Sequence, residues 1–332
     1  MRNPLPGLAA LVLGASLAAC GGDGEGPATG QIDLKLTDVP VDGAEAVIIV
    51  FTGVELQPAG GQRIDIDFPS ERAIDLLAFQ NGDTVDLLRG EEVPAGDYNW
   101  MRLKVIAQKN LQDGSRIEFS DTSYPLYIPS GAESGLKLNR AFSVAAGGVT
   151  RLVADFDLRK SIIAPRGQDP NYALKPVLRL MDELETGTLT GTVDLRALTD
   201  AQLGADPVRP ISACKAGIYV FEQTAAGSPA TPDDMDGDLA GEEDGGRDPE
   251  AYFPVAWDGV NDTTPFSVEF LATGNYTVSA TCDYGVDASP DANEYRPNAA
   301  SGEDGYQAMR WTSVADVAIA AGQTTDMTWP AP

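Results

Sequence analysis

Eight basic side chains crowd into one stretch of an acidic chain: Lys137, Arg140, Arg151, Arg159, Lys160, Arg166, Lys175 and Arg179. Only Asp155, Asp157 and Asp169 oppose them. The whole chain holds 23 Lys and Arg against 50 Asp and Glu, a formal net charge of −27. Ammonium groups and guanidinium forks gathered by neighbouring strands would hold carboxylate, sulfate or phosphate. Lys137, Arg159, Lys160, Lys175 and Arg179 are therefore the candidate anion-binding set. The plainer alternative is that Asp155 and Asp157 pair internally with Arg159, Lys160 and Lys175. A second candidate is the loop Asp233–Glu250, with nine acids and one base. Aligned on Gly237, it puts Asp234, Asp236 and Glu243 where a calcium loop carries ligands, with Asp238 beside them. Pro232 falls at the first ligand position and cannot serve with a side chain. That points to an irregular Ca²⁺ site, and the alternative is a solvated acidic insertion. Trp257 in the turn-like Ala256-Trp257-Asp258-Gly259 is a candidate to stack on a sugar. Trp100 and Trp329 lie in or at the end of strands and read as packing.

What is absent narrows the chemistry. The chain has no histidine, so Ser-His-Asp and Cys-His catalysis and the His-containing zinc sites are excluded. Paired carboxylates could still hydrolyse a glycosidic bond, but with 50 acids chance proximity is expected. A chain this acidic repels polyanions, so no nucleic-acid partner is expected.

Strands must position these groups. Gln31–Thr37, Arg63–Phe68, Tyr98–Ile106, Arg116–Phe119, Tyr124–Ile128, Val149–Leu158 and Tyr172–Met181 read as strands, most by apolar and polar alternation. Ala46–Phe51 is a continuous apolar run, as in a strand buried on both faces. Asp42-Gly43, Gly60-Gly61, Asp113-Gly114 and Gly147-Gly148 are turn formers between them. Thr186–Leu195, Ala216–Glu222, Phe266–Leu271, Tyr276–Cys282, Val314–Ala320 and Thr324–Trp329 form a second set. Short helices are expected at Ala73–Phe79 and Leu195–Leu203. The two sets share motifs. Pro94-Ala95-Gly96-Asp97-Tyr98 is echoed by Ala272-Thr273-Gly274-Asn275-Tyr276. Ala145-Ala146-Gly147-Gly148-Val149-Thr150 is echoed by Ala320-Ala321-Gly322-Gln323-Thr324-Thr325. The expected fold is all-β, two tandem Greek-key sandwiches over 30–183 and 186–330.

Cysteines place the protein. Arg2, the apolar stretch Leu8–Ala18 and the run Leu17-Ala18-Ala19-Cys20 resemble a bacterial lipoprotein signal. That implies removal of 1–19, a lipid on Cys20 and a flexible linker over 20–29. The apolar stretch is shorter than the ~20 residues that span a bilayer. Gly21, where aspartate would imply inner-membrane retention, favours the outer membrane. Cys214 and Cys282 then form an even pair. In an exported protein they read as one disulfide closing 68 residues, worth about 4 kcal/mol in the chain-entropy model. Two free buried thiols are the alternative.

The first set carries a further resemblance. Thr37-Asp38-Val39-Pro40, Phe51-Thr52-Gly53-Val54-Glu55-Leu56 and Ile74-Asp75-Leu76-Leu77 occur in order. Pro94-Ala95-Gly96-x-Tyr98, Ser130–Leu138, Asp155-Phe156-Asp157-Leu158-Arg159-Lys160-Ser161 and Tyr172-x-Leu174-Lys175-Pro176-Val177-Leu178-Arg179 follow. This is similar to a family of bacterial lipoproteins known as domain of unknown function 4382. The likeness implies a β-sandwich on a lipoprotein and brings no activity. From Gly187 to Trp329 the strand order resembles the prealbumin-like modules of carboxypeptidase regulatory domains, which serve as stalks, spacers or binding platforms. The expected function is non-catalytic binding or scaffolding at the cell envelope, toward an anionic glycan or an envelope protein. A structural stalk without a small ligand and a carboxylate-based glycan hydrolase are the alternatives.

Overall fold

A computed structural model describes residues 28–39, 44–79, 82–120, 122–129, 135–165, 170–223, 249–284, 310–312 and 315–329. The first half holds β1 (Thr29–Val39), β2 (Ala46–Pro58), β3 (Ile64–Asp75), β4 (Val85–Pro94) and β5 (Gly96–Val105). It continues with β6 (Arg116–Phe119), β7 (Thr122–Tyr127), β8 (Leu136–Leu138), β9 (Phe142–Val144) and β10 (Val149–Asp157). A single helical turn α1 (Leu158–Ser161) and β11 (Ile162–Ile163), β12 (Tyr172–Leu174) and β13 (Leu178–Asp182) complete it. The second half holds β14 (Thr186–Asp194), α2 (Leu195–Leu203), β15 (Ala216–Glu222), β16 (Ala251–Val255) and β17 (Thr263–Ala272). It ends with β18 (Gly274–Thr281), β19 (Ala315–Ile319) and β20 (Thr324–Trp329).

The described residues are all-β, with one core in the first half and two apolar clusters in the second. In the first half the sheet β13-β10-β1-β4 stacks on a larger sheet, β11-β12-β7-β6-β2-β5-β8, with β3 beside β2 and β9 beside β5. Alternation drives the stacking. Ile32, Leu34 and Leu36 of β1 are fully buried while Gln31, Asp33 and Lys35 point away; such a pattern can bury only one face. The second half repeats the plan with β17-β14-β20 against β16-β15-β18-β19 around Leu189, Ile218, Val220, Phe266 and Val278.

The halves correspond strand by strand. β1 runs parallel to β10 and antiparallel to β4, as β14 does to β20 and β17. β5 lies between β2 and β9, as β18 lies between β15 and β19. The echoed motifs occupy matching places. Tyr98 Oη donates to Pro94 O at 2.7 Å and Tyr276 Oη to Ala272 O at 2.8 Å, each four residues back. Gly147 N donates to Thr29 O and Gly322 N to Thr186 O, both at 2.8 Å. Both glycines are left-handed, with φ of 68° and 64°, the conformation that favours glycine.

The helix expected at Ala73–Phe79 is corrected. β3 extends to Asp75, with Ala73 paired to Val50, and only Leu76–Ala78 winds into a 3-10 turn. Asp75 Oδ1 accepts from Leu77 N at 3.2 Å and from Val47 N at 3.0 Å. It caps the turn and ties it to β2, so sheet pairing outcompetes a short helix. α2 forms over Leu195–Leu203 as expected, capped by Asp194 through Ala197 N at 2.8 Å.

Candidate binding surfaces

The outer face of the larger first-half sheet is polar by alternation. Met101, Leu103 and Val105 of β5 enter the core, so Trp100, Arg102 and Lys104 face out. β8 pairs Lys137 directly with Arg102. Trp100 thereby meets two cations: Lys137 Nζ lies 4.7 Å and Arg102 Cζ 4.9 Å from its ring centroid. Such contacts hold a cation by the ring quadrupole without neutralising it. Arg102 also reaches Glu55 Oε2 at 3.2 Å, and Arg63 reaches Glu55 Oε1 at 2.7 Å. One carboxylate thus serves two guanidiniums. Arg102 Nε is buried without a hydrogen-bond partner. Among the described residues no carboxylate lies in ion-pair reach of Lys137, which is exposed. The arrangement presents a positive patch beside a half-buried indole. Lys104 lies farther along the strand and bonds Asp67 at 2.9 Å and also Asp65. Its contact holds the Asp65 carboxyl below the ordinary aspartate range.

The fold splits the other expected anion ligands. Leu178 and Leu180 face the core from β13, so Arg179 points out of the opposite sheet from Lys137. Arg179 Nε donates to Asp155 Oδ2 at 3.1 Å and its Nη1 to Glu250 Oε1 at 2.7 Å. Burial works against its charge, but Asp155 and Glu250 outweigh that and hold it cationic. Asp155 therefore pairs with Arg179, and Asp157 accepts from Tyr252 Oη at 2.7 Å. Lys175 is exposed, and its backbone N donates to Ser161 O at 2.8 Å. Positions 158–161 and 175–177 therefore share one corner, which brings Arg159 and Lys160 near Lys175 in the backbone. The side chains of Arg159 and Lys160 lie outside the described residues.

Trp257 sits half-buried in the turn between β16 and β17, against the second core. Its indole N–H donates to Asn261 O at 2.9 Å, so the ring anchors this turn. Asp258 accepts from Val260 N at 2.8 Å and Asn261 N at 2.7 Å. These bonds hold its carboxyl below the ordinary range, with Asn261 the largest cause. Cys214 and Cys282 form the disulfide, with Cα atoms 4.5 Å apart. Cys20, the acids Asp234, Asp236, Asp238 and Glu243, and most of the loop 233–250 lie outside the described residues.

Sequence reading passed over Arg102 and Glu55. A signal was available, because alternation in Tyr98–Ile106 already puts Trp100, Arg102 and Lys104 on one face. Nothing in the sequence signals that Glu250 and Tyr252 meet Arg179 and Asp157, 71 and 95 residues away.

Residues 29–176 match the family model described as Domain of unknown function (DUF4382). No curated protein matches the chain. Among solved structures, it is similar to a leucine-rich repeat protein from Bacteroides thetaiotaomicron at 11% identity and a TM-score of 0.23, covering 91% of this chain and 26% of that one. The chain thus spans about a quarter of that protein. It is also similar to the Bacillus anthracis TIE protein at 8% identity and a TM-score of 0.18, covering 91% and 34%. The minor pilin of Streptococcus agalactiae aligns at 9% identity and a TM-score of 0.17, covering 90% and 97%. Overlaps this loose carry no functional information.

Proposed function

Starting from a first half that matches a family without an assigned activity, we propose that this chain is a non-catalytic binding or scaffolding protein of the cell envelope. Lipid on Cys20 tethers it to a membrane, the outer membrane by the residue that follows. Its ligand-facing surface is the outer sheet around Trp100, Arg102 and Lys137, and the ligand is an anionic glycan. The observation that carries this reading is Lys137, whose ammonium rests 4.7 Å from the Trp100 ring centroid with no carboxylate partner among the described residues. An ammonium held this way keeps its hydrogen-bond donors for an incoming carboxylate. The neighbouring indole offers a flat apolar surface to a sugar ring.

The test is calorimetric titration of the mature chain with polygalacturonate and with neutral dextran. Binding is expected for the polyanion alone, weakening as salt is added. Lys137→Ala should weaken it at least about tenfold, the loss of one charge-assisted contact. Lys175→Ala, at the opposite corner, should leave it unchanged. Equal affinity in wild type and Lys137→Ala would remove this face from the function. The tether is checked separately by incorporation of radiolabelled palmitate, expected in wild type and lost in Cys20→Ala.

A further inference from the structure

Part of the outward face of the sheet β13-β10-β1-β4 is shielded from solvent. Val153, Met181 and Asp155 point away from the first core, yet they are 0%, 4% and 6% exposed. The outer face of a sheet that packs on a core with its other face ordinarily carries polar, wet side chains. What lies over it is read from the polar contacts. Arg179 reaches from Asp155 to Glu250, just before β16, and Tyr252 of β16 donates to Asp157. β17 also abuts the first half: a Cβ on Gly82 would come within 2.3 Å of Glu269 Cγ. Both β16 and β17 are sheet edges of the second sandwich, so the first half meets the second through side chains of strands that end their sheets.

The connection between the halves is pinned as well. Only the 3-10 turn Glu183–Glu185 separates β13 from β14. Asp182 Oδ1 caps it through Leu184 N at 2.9 Å. Lys35 holds Glu183 at 2.8 Å and Arg140 holds Glu185 at 3.1 Å, both from the first half. Glu185 O accepts from Thr273 N at 3.2 Å, from the second half.

We infer that Arg179, Asp155, Glu250, Asp157 and Tyr252 lock the two sandwiches into one fixed-angle unit. Relative motion is the default for modules in one chain, unless the contact is buried and specific. Here apolar side chains, an ion pair bridging the two halves and a doubly held linker act together. The lock stands independently of the ligand-binding reading, since none of its residues belongs to the Trp100 face.

The test is the distance distribution between spin labels carried on non-natural amino acids at Gln112 and Val260, both exposed. Labelling this way leaves the cysteines untouched. The wild-type distribution should be narrow and single. Glu250→Gln with Tyr252→Phe removes the charge of one cross-half arm and the hydroxyl of the other, leaving Arg179 on Asp155 and on the Glu250 backbone carbonyl, and should broaden it about twofold or more. Near-ultraviolet circular dichroism confirms that both sandwiches of this variant remain folded. A broad wild-type distribution overturns the lock, and so does a folded variant as narrow as wild type. Should the variant not fold, the wild-type width alone decides.

Discussion

A single lysine organises the polar edge of β3 and β5. Lys104 bonds Asp67 at 2.9 Å and also Asp65, and for Asp65 the hydrogen bond from Lys104 is the largest influence on its pKa. The folded carboxyl therefore titrates below its unfolded value of 3.8. The resulting stabilisation is present above that value and is lost as pH falls through the lower, folded pKa. Asp65 is about half exposed, at 52%, so salt should weaken the effect. Carbon-detected NMR titration should show a depressed Asp65 midpoint that returns toward 3.8 in Lys104→Met. An unmoved midpoint would refute the pairing. Burial acts in the opposite direction at Tyr276, whose phenol is pushed up to about 12, with Glu250 and Glu222 adding to it. At this scale the sequence was half legible. Gly-x-Tyr announces Tyr98 and Tyr276 because its spacing is local. The partner of Arg179 is hidden, since a guanidinium in a basic run carries no sign of a carboxylate 71 residues away.

Elements were legible where one face is apolar. β1, β5 and β14 alternate strictly enough that their inward faces follow from burial alone. β4 was missed, because Arg89-Gly90-Glu91-Glu92 interrupts its pattern. Gly90 takes φ 62° in a strand whose register with β1 shifts nearby. In β17 the residue with φ 56° is Phe270, beside a register shift against β14; a phenylalanine gives no hint of that conformation. The matching glycines of the first strands give a sharper test. A Cβ on Gly30 would lie 2.3 Å from Ala145 O, and one on Gly187 2.4 Å from Ala320 O. The same close approach of strand to hairpin is built twice. Gly30→Ala and Gly187→Ala should each destabilise their own half by about 2 kcal/mol, since backbone must shift to make room. Gly60→Ala, with nothing within 4 Å, should be neutral or slightly stabilising by stiffening the unfolded chain. Urea midpoints followed by tryptophan fluorescence would separate the three. Equal midpoints for Gly30→Ala and Gly60→Ala would mean that the approach is not tight.

The whole molecule joins two copies of one plan, with covalent reinforcement in only one of them. Cys214 and Cys282 lie at the end of the second sandwich remote from the linker and close a loop of 68 residues, while the first half has no cysteine between Gly30 and Asp182. Reduction should remove about 4 kcal/mol from the second half in the chain-entropy model. If the halves were independent, the first would not respond. A locked pair behaves differently, because Val153 and Met181 are buried on the face of the first half that Arg179 ties to Glu250. Once the reduced second half melts, that apolar face meets water and Arg179 loses Glu250, so the first half must melt at a lower temperature too. Scanning calorimetry should therefore show one joint transition for the oxidised chain. Under reductant it should split in two, the second half first and the first half below its oxidised value. In Glu250→Gln with Tyr252→Phe the first-half transition should no longer depend on the redox state of a disulfide it does not contain. A first-half transition that reductant leaves in place in the wild-type chain would show that the burial at Val153 and Met181 does not couple the two sandwiches.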